Sequence, residues 1–380
     1  MFLWSFFLNQ FCILALIFLA ALVIYGRKSP KAKVIFFNLF AIFTIIGLFD
    51  VLCTTFFAPP YANFRTNSTY YHHGLKPNMT EKTKWFQEYT IHTNSLSFVD
   101  ESPRVVPLKK QGKRFVFIGD SFTEGVSQPW AKTFPGIAAA ALKKEGIELL
   151  NAGCVSYSPK IYYLKMKYFI EKGLEMDDLY VFIDISDIQD EIEYAYFKPT
   201  DPVPVVSDVN LFFYQNSFTY RSFYDFFFYM QENPRSRFSP YWENNYYGVR
   251  HLWMSNGREY NKWGKEGLEL ATSYMTKLYE LTKAHGINLH IAVYPWRMQI
   301  AEQNKNPLQV AWWKKFCEDK NIEFIDFFPY FIDGSDPVEA EKRWFIENDI
   351  HWNEEGLRKM GESVIDHFQK QGIIKSADKQ

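Results

Sequence analysis

From residue 113 onward the chain alternates short strand-like runs with longer helix-like ones, and that alternation is the strongest constraint on its fold. "KRFVFIG", "IELLN" and "LYVFIDI" read as strands; "WAKTFPGIAAAALKKEG" and "KIYYLKMKYFIEKG" read as helices stopped by glycine. The rhythm resumes with the helix "GLELATSYMTKLYELTKAHG", the strand "INLHIAVYP", the helix "PLQVAWWKKFCEDK", the strand "IEFIDFF" and the closing helix "NEEGLRKMGESVIDHFQKQG". Continuous apolar strands separated by amphipathic helices suit βαβ units with both sheet faces covered. The predicted class is α/β, a three-layer sandwich with a mostly parallel sheet over residues 113–375. In such sheets ligands bind at the carboxyl ends of the strands. An aromatic-rich insertion at about 188–262 interrupts the pattern. It reads as a helical lid on its own core, or as an aromatic surface for carbohydrate or a membrane partner.

The segment before the sandwich has a different character. Residues 1–26 carry no charged side chain, and residues 34–57 form a second apolar run broken only by Asp50. Each is long enough for a helix across a bilayer core of ~30 Å. A cleaved signal peptide fits poorly, since a basic n-region and a small-x-small site are both missing. "GRKSPKAK" joins the runs with Arg27, Lys28, Lys31 and Lys33, and short basic loops stay cytoplasmic. The expectation is a transmembrane hairpin over 1–58 with the rest of the chain extracytoplasmic; one span plus a buried core helix is the alternative. Residues 59–112 read as a linker with short strands: "FAPPYANF" breaks the pattern and "YTIHTNSLSF" alternates.

Composition excludes more than it assigns. Lys and Arg total 42 against 43 Asp and Glu, and no basic tract or nucleic-acid motif appears, so no nucleic-acid partner is expected. Cys12 and Cys53 lie in the apolar runs, leaving Cys154 and Cys317 as one conceivable pair that sequence cannot assign. "DIQDE" at 187–191 clusters acids, but no histidine or cysteine ligand stands near, so no metal and no cofactor are expected.

Chemistry-bearing residues sit where the strands end. In "RFVFIGDSFTEG" Ser121 follows a buried strand and a glycine turn, either as a nucleophile or as a helix cap. In "ENDIHWNEEG" His351 precedes the last helix, and Asp349 two residues earlier points the same way on an extended segment. That histidine is either the base or an ordinary loop residue. Trp296, Arg297 and Gln299 of "YPWRMQ" end another strand, as substrate-groove residues or as a structural turn.

These motifs support a family resemblance. "FIGDSFTEG", "LNAGCVSYSP" and "NDIHWNEEG" resemble, in order, the first, second and last blocks of the SGNH/GDSL hydrolases, over roughly residues 85–372. "DIHW" and "TNSLSF" look like the membrane-tethered polysaccharide O-acyltransferase relatives, such as alginate-acetylation proteins. The resemblance implies a flavodoxin-like SGNH sandwich and a catalytic Ser121, His351 and Asp349. It implies an oxyanion hole from the N–H groups of Ser121 and Ser156 with the Ser186 hydroxyl. Asp120, Gly153 and Asp187 are candidates for supporting roles. Two departures stand out. Many members place the acid three residues before the histidine, where this chain has Asn348; and the third block, normally Gly-x-Asn-Asp, reads "DISD" at 184–187.

The implied function is a membrane-anchored serine O-acyl (acetyl) esterase or acyltransferase in the bacterial cytoplasmic membrane, with a periplasmic catalytic domain. Its partners would be an acylated polysaccharide or acyl donor, with a multi-span membrane O-acyltransferase as a further candidate. The alternative is a weakly or non-catalytic partner docking to such an acyltransferase. A phospholipid or thioester hydrolase is a third option.

Overall fold

A computed structural model describes residues 9–56, 64–199, 217–220, 222–223, 250–347 and 349–375. The aliphatic run Gln10–Tyr25 forms helix α1, and Pro30–Phe56 forms α2. Asn9 starts α1 by accepting the N–H groups of Phe11 and Cys12 at 3.0 and 3.4 Å. Its amide also donates to Asp50 Oδ2 at 2.5 Å, which satisfies a fully buried carboxylate on α2. Asp50 Oδ1 in turn accepts the N–H of Thr219 at 2.6 Å. Over its described residues only α2 is long and apolar enough to cross a membrane; α1 spans 16 residues, about 24 Å.

The chain divides into two compact units, Met1–Tyr61 with Pro204–Trp242, and Ala62–Val203 with Glu243–Gln380. Most of the aromatic insertion, and Asn348, lie outside the described residues.

The second unit opens with two antiparallel hairpins, β1 (Arg65–Ser68) with β2 (His72–Leu75), and β3 (Thr80–Trp85) with β4 (Gln87–His92). Then follow β5 (Lys113–Ile118), α3 (Ser121–Glu124), α4 (Phe134–Lys144), β6 (Ile147–Asn151), α5 (Pro159–Glu171), β7 (Asp178–Ile183) and α6 (Asp187–Glu193). After the insertion come α7 (Lys265–Ala284), β8 (Asn288–Val293), α8 (Arg297–Ala301), α9 (Leu308–Lys320), β9 (Glu323–Asp326), α10 (Pro337–Trp344) and α11 (Glu354–Lys370).

The last five strands make one wholly parallel sheet in the order β6-β5-β7-β8-β9. Every residue of β7 and all but the first of β5 are buried, as continuous apolar strands under helices on both faces must be. Helix α4 packs on α11, α5 packs on α7, and Trp312 of α9 donates to Thr272 of α7 at 2.9 Å. Phe115 and Phe117 of β5 meet Phe368 of α11, so alternate β5 residues face that layer. The segment expected as a linker with short strands supplies the two hairpins and also joins the main core: Phe64, Leu75 and Phe98 belong to it, and Val99 bridges to Asn151 at the end of edge strand β6. All four cysteines are free, buried thiols, so Cys154 and Cys317 are not paired.

Candidate active site

Strand β5 stops at Ile118, and Gly119 makes the turn that follows. A Cβ on Gly119 would sit 2.1 Å from Thr123 Oγ1 and 3.0 Å from the Phe182 carbonyl, so no larger residue fits. Asp120 caps α3, accepting the Phe122 N–H at 3.0 Å. The cap is therefore Asp120, and the Ser121 hydroxyl is not used in capping. Its Oγ lies 2.8 Å from His351 Nε2 and 3.4 Å from Asp120 Oδ2.

His351 is held by a loop pinned at both ends. Phe345 and Trp352 pair as an antiparallel bridge, and the Ile346 N–H donates to the His351 carbonyl at 2.9 Å. Asn353 caps α11 through the Gly356 N–H and sends its amide to the carbonyls of Arg343 and Phe345. Within this frame His351 Nδ1 lies 2.5 Å from Asp349 Oδ1, which also accepts the His351 N–H at 3.0 Å. A carboxylate on Nδ1 leaves a lone pair on Nε2, the nitrogen that faces Ser121. Burial opposes ionisation of Asp349, but the hydrogen bonds and charge of His351 and the Trp85 indole N–H bring its pKa down to about 2. Ser121 is 7% exposed and His351 3% exposed, so this chain of bonds lies largely out of water.

Two further side chains touch this chain of bonds, Trp85, which the sequence did not suggest, and Arg297, which it did. Trp85 ends β3, donates to Asp349 Oδ2 at 3.3 Å and stands edge-on to the His351 ring. Arg297 Nη1 donates to the Asp349 carbonyl at 2.9 Å, and its Nη2 pairs with Glu341 of α10. Arg297 thus braces the acid's backbone. Trp296 and Gln299 match the structural-turn reading and not the groove reading. Both are essentially buried: the Trp296 indole donates to Asp184 Oδ2 at 2.7 Å, and Gln299 bonds Gln309 and the Trp296 N–H. Only a strand-end position suggested a groove, and tertiary packing decides otherwise.

Behind the serine, Asp120, Asp184 and Asp187 bring a ligand atom each within 4.8 Å of one another, all buried. Burial and the neighbouring Asp184 push the pKa values of Asp120 and Asp187 well above the ordinary carboxylate value. Tyr294 donates to Asp120 and Tyr162 to Asp187. The Ser186 expectation needs correction. Both its hydroxyl and its N–H donate to Asp184 Oδ1, at 2.8 and 2.6 Å, so its donor is spent inside this cluster.

The second block lies against α3. A Cβ on Gly153 would meet the Glu124 nitrogen at 2.8 Å and the Thr123 carbonyl carbon at 2.9 Å, so glycine permits the close approach. The Gly153 N–H is occupied by Asn151 Oδ1, while the Asn151 amide donates to the Thr123 carbonyl at 2.7 Å. Ser156 is exposed and adopts φ +55°, a conformation that glycine takes most easily. Neither its N–H nor that of Ser121 enters a backbone–backbone hydrogen bond among the described residues.

A groove of about 340 Å³ beside the His351 loop is lined by Phe86, Gln128, Phe345 and Glu347, among others. A larger one of about 1030 Å³ lies along edge strand β6, by Lys113, Lys143 and Glu148, and contains none of the site residues.

No known family model matches the chain, and no curated protein matches it in sequence. Among solved structures it is similar to a member of the lipolytic G-D-S-L family from Veillonella parvula DSM 2008, with 13% identity, 68% of this chain and 100% of that chain covered, and a TM-score of 0.38. It is also similar to a catalytic mutant of an acetylxylan esterase from Geobacillus stearothermophilus, with 12% identity, 68% and 95% coverage and a TM-score of 0.39. A psychrotrophic esterase from Pseudoalteromonas sp. is similar at 8% identity, 68% and 98% coverage and a TM-score of 0.37. At these identities and scores the functional argument rests on the site geometry.

Proposed function

We propose that the chain is an SGNH-type serine esterase or O-acyltransferase acting on acyl esters of cell-surface polysaccharide, anchored in the bacterial cytoplasmic membrane with its α/β unit outside. The observation that carries the reading is the continuous path from Ser121 Oγ to His351 Nε2 at 2.8 Å and from His351 Nδ1 to Asp349 at 2.5 Å. A lone pair on Nε2 suits His351 to take the serine proton as Oγ attacks an ester carbonyl. Asp349 then stabilises the imidazolium. The tetrahedral oxyanion is received by the N–H groups of Ser121 and Ser156. Collapse breaks the ester bond, and His351 returns the proton to the departing alcohol. Water, or a sugar hydroxyl, next attacks the acyl-serine with His351 again as base, which regenerates the free serine.

The anchor is supported by α2 and the basic turn before it; the polysaccharide by the acyltransferase-like "DIHW" and "TNSLSF". One observation favours the rival reading, a weakly catalytic partner of a multi-span O-acyltransferase. The Ser186 donor is committed to Asp184, and losing one oxyanion donor costs about 10²–10³ in rate.

Labelling with a fluorophosphonate separates the two readings. The full-length protein should be labelled at Ser121 and should release acid from an aryl acetate; folded Ser121→Ala should do neither. Labelling that persists in folded Ser121→Ala removes the enzyme reading and leaves the docking partner.

A further inference from the structure

The loop that carries Ser156 is gripped from outside the α/β sandwich. His73, on β2, has its Nε2 2.7 Å from the Val155 carbonyl oxygen. A carbonyl can only accept, so Nε2 carries the hydrogen. His73 Nδ1 is then the acceptor in its 2.8 Å contact with His72 Nδ1. Burial lowers the His73 pKa to about 3, so the ring stays neutral and this tautomer is fixed.

The other side of Val155 is held from β1. Its N–H donates to Glu124 Oε2 at 2.9 Å, and Glu124 is clamped by both Arg65 Nη atoms at 2.7 and 3.0 Å. Glu124 is the last residue of α3, the turn that begins with Ser121. A single carboxylate therefore links the serine's turn to the second loop. The Cys154 N–H adds a second tie, donating to the Gly119 carbonyl at 3.2 Å. Beyond Val155, the Tyr194 hydroxyl donates to the Ser156 carbonyl at 2.8 Å, and the Tyr157 hydroxyl donates to the His73 carbonyl at 2.7 Å.

Of these contacts, the one from His73 lies on the Val155–Ser156 peptide itself, and the others hold the peptides on either side of it. No peptide bond is cis among the described residues, so the Val155 C=O and the Ser156 N–H point in opposite directions. Holding the carbonyl on His73 turns the Ser156 N–H away from β2. We propose that His73 and Arg65, from the hairpin that precedes the sheet, are positioning residues that aim the Ser156 N–H as the second oxyanion donor. The Arg65–Glu124 clamp sets its spacing from the Ser121 N–H, and His73 sets its direction. The proposal rests on Ser121 being the nucleophile, and it explains how the site works with the Ser186 donor spent elsewhere.

The test uses the full-length protein in detergent, with an aryl acetate as substrate and a boronic acid as tetrahedral mimic. His73→Phe should lower kcat about tenfold to a hundredfold, short of the full loss of a donor, with KM within about twofold. Boronate inhibition should weaken by the same factor as kcat/KM, because both report the oxyanion site. His73→Gln, which keeps a donor, should recover most of the loss. A KM change alone, or a fall in kcat with unchanged boronate affinity, overturns the proposal. Should His73→Phe fail to fold, Arg65→Lys keeps the charge but loses the two-pronged hold on Glu124. It should give the same paired loss, and an unaffected Arg65→Lys counts against the proposal. Ser121→Ala is run alongside. If it is inactive while His73→Phe matches wild type, only this inference falls; if it stays active, the nucleophile assignment falls.

Discussion

His351 is fixed by groups from widely separated parts of the chain, each removable by one substitution. Asp349→Asn keeps the shape but can present its amide N–H to Nδ1, favouring the wrong tautomer. In the well-studied serine protease triad that change costs about 10⁴ in kcat, and a loss of about 10³–10⁴ is expected here, read on an aryl acetate. Trp85→Phe removes one hydrogen bond to the same carboxylate. At 3.3 Å that bond is long, so a loss of about tenfold is expected, at the low end for a bond to a charged group. Asn348→Ala should leave the rate near wild type; an effect as large as that of Asp349→Asn would reassign the acid. The depressed Asp349 pKa also fixes a pH dependence. Its folded value, about 2, lies below the ordinary 3.8, so its contribution to stability is complete above about pH 5 and is lost as pH falls towards 2. Thermal melts of wild type should converge on those of Asp349→Asn over that range.

Close approach of α3 and the second loop depends on a missing side chain. Gly153→Ala places a Cβ 2.8 Å from one backbone nitrogen and 2.9 Å from a backbone carbon, and neither is the end of a flexible group. Overpacking of this kind costs about 1–3 kcal/mol, so a lower Tm is expected with a larger proportional loss of activity, since both oxyanion donors shift. The sheet, its five strands and the helices α4, α5, α7, α9 and α11 were legible in the sequence, because continuous apolar runs and 3.6-residue periodicity are imposed by local burial. The grouping of Ser121, His351 and Asp349 was legible through the order of the family-like blocks, because the local patterns alone left a helix cap and an ordinary loop histidine open. The sequence left Trp296 and Gln299 between a groove and a structural turn, and gave Ser186 to the oxyanion hole. Nothing within a few residues says that Asp184 will claim the Trp296 indole, which follows from β7 and β8 lying side by side, whereas the Ser186 hydroxyl turns back on Asp184 only two residues before it. Trp85, Arg65 and His73 were missed because their partners lie far along the chain.

At the scale of the molecule, two units with different surfaces share one chain. The Asn9–Asp50 pair, with Thr219 on the second carboxylate oxygen, satisfies a polar group inside an apolar helical hairpin. The anchor reading predicts that the full chain stays with membranes after an alkaline carbonate wash, and that a C-terminal alkaline phosphatase fusion is active. Recovery of the full chain in the soluble fraction would remove the anchor. The hairpins before the sheet have one more consequence, in time instead of space. Trp85 and Asp349 stand 264 residues apart, and Ser121 and His351 stand 230 apart. At roughly 5–20 residues per second of synthesis, the base follows the serine out of the ribosome by roughly 12–46 s. Through that interval the nascent chain carries a serine with no base to activate it. On the proposed mechanism, such a growing polypeptide has no activated serine until its final loop closes over segments made long before.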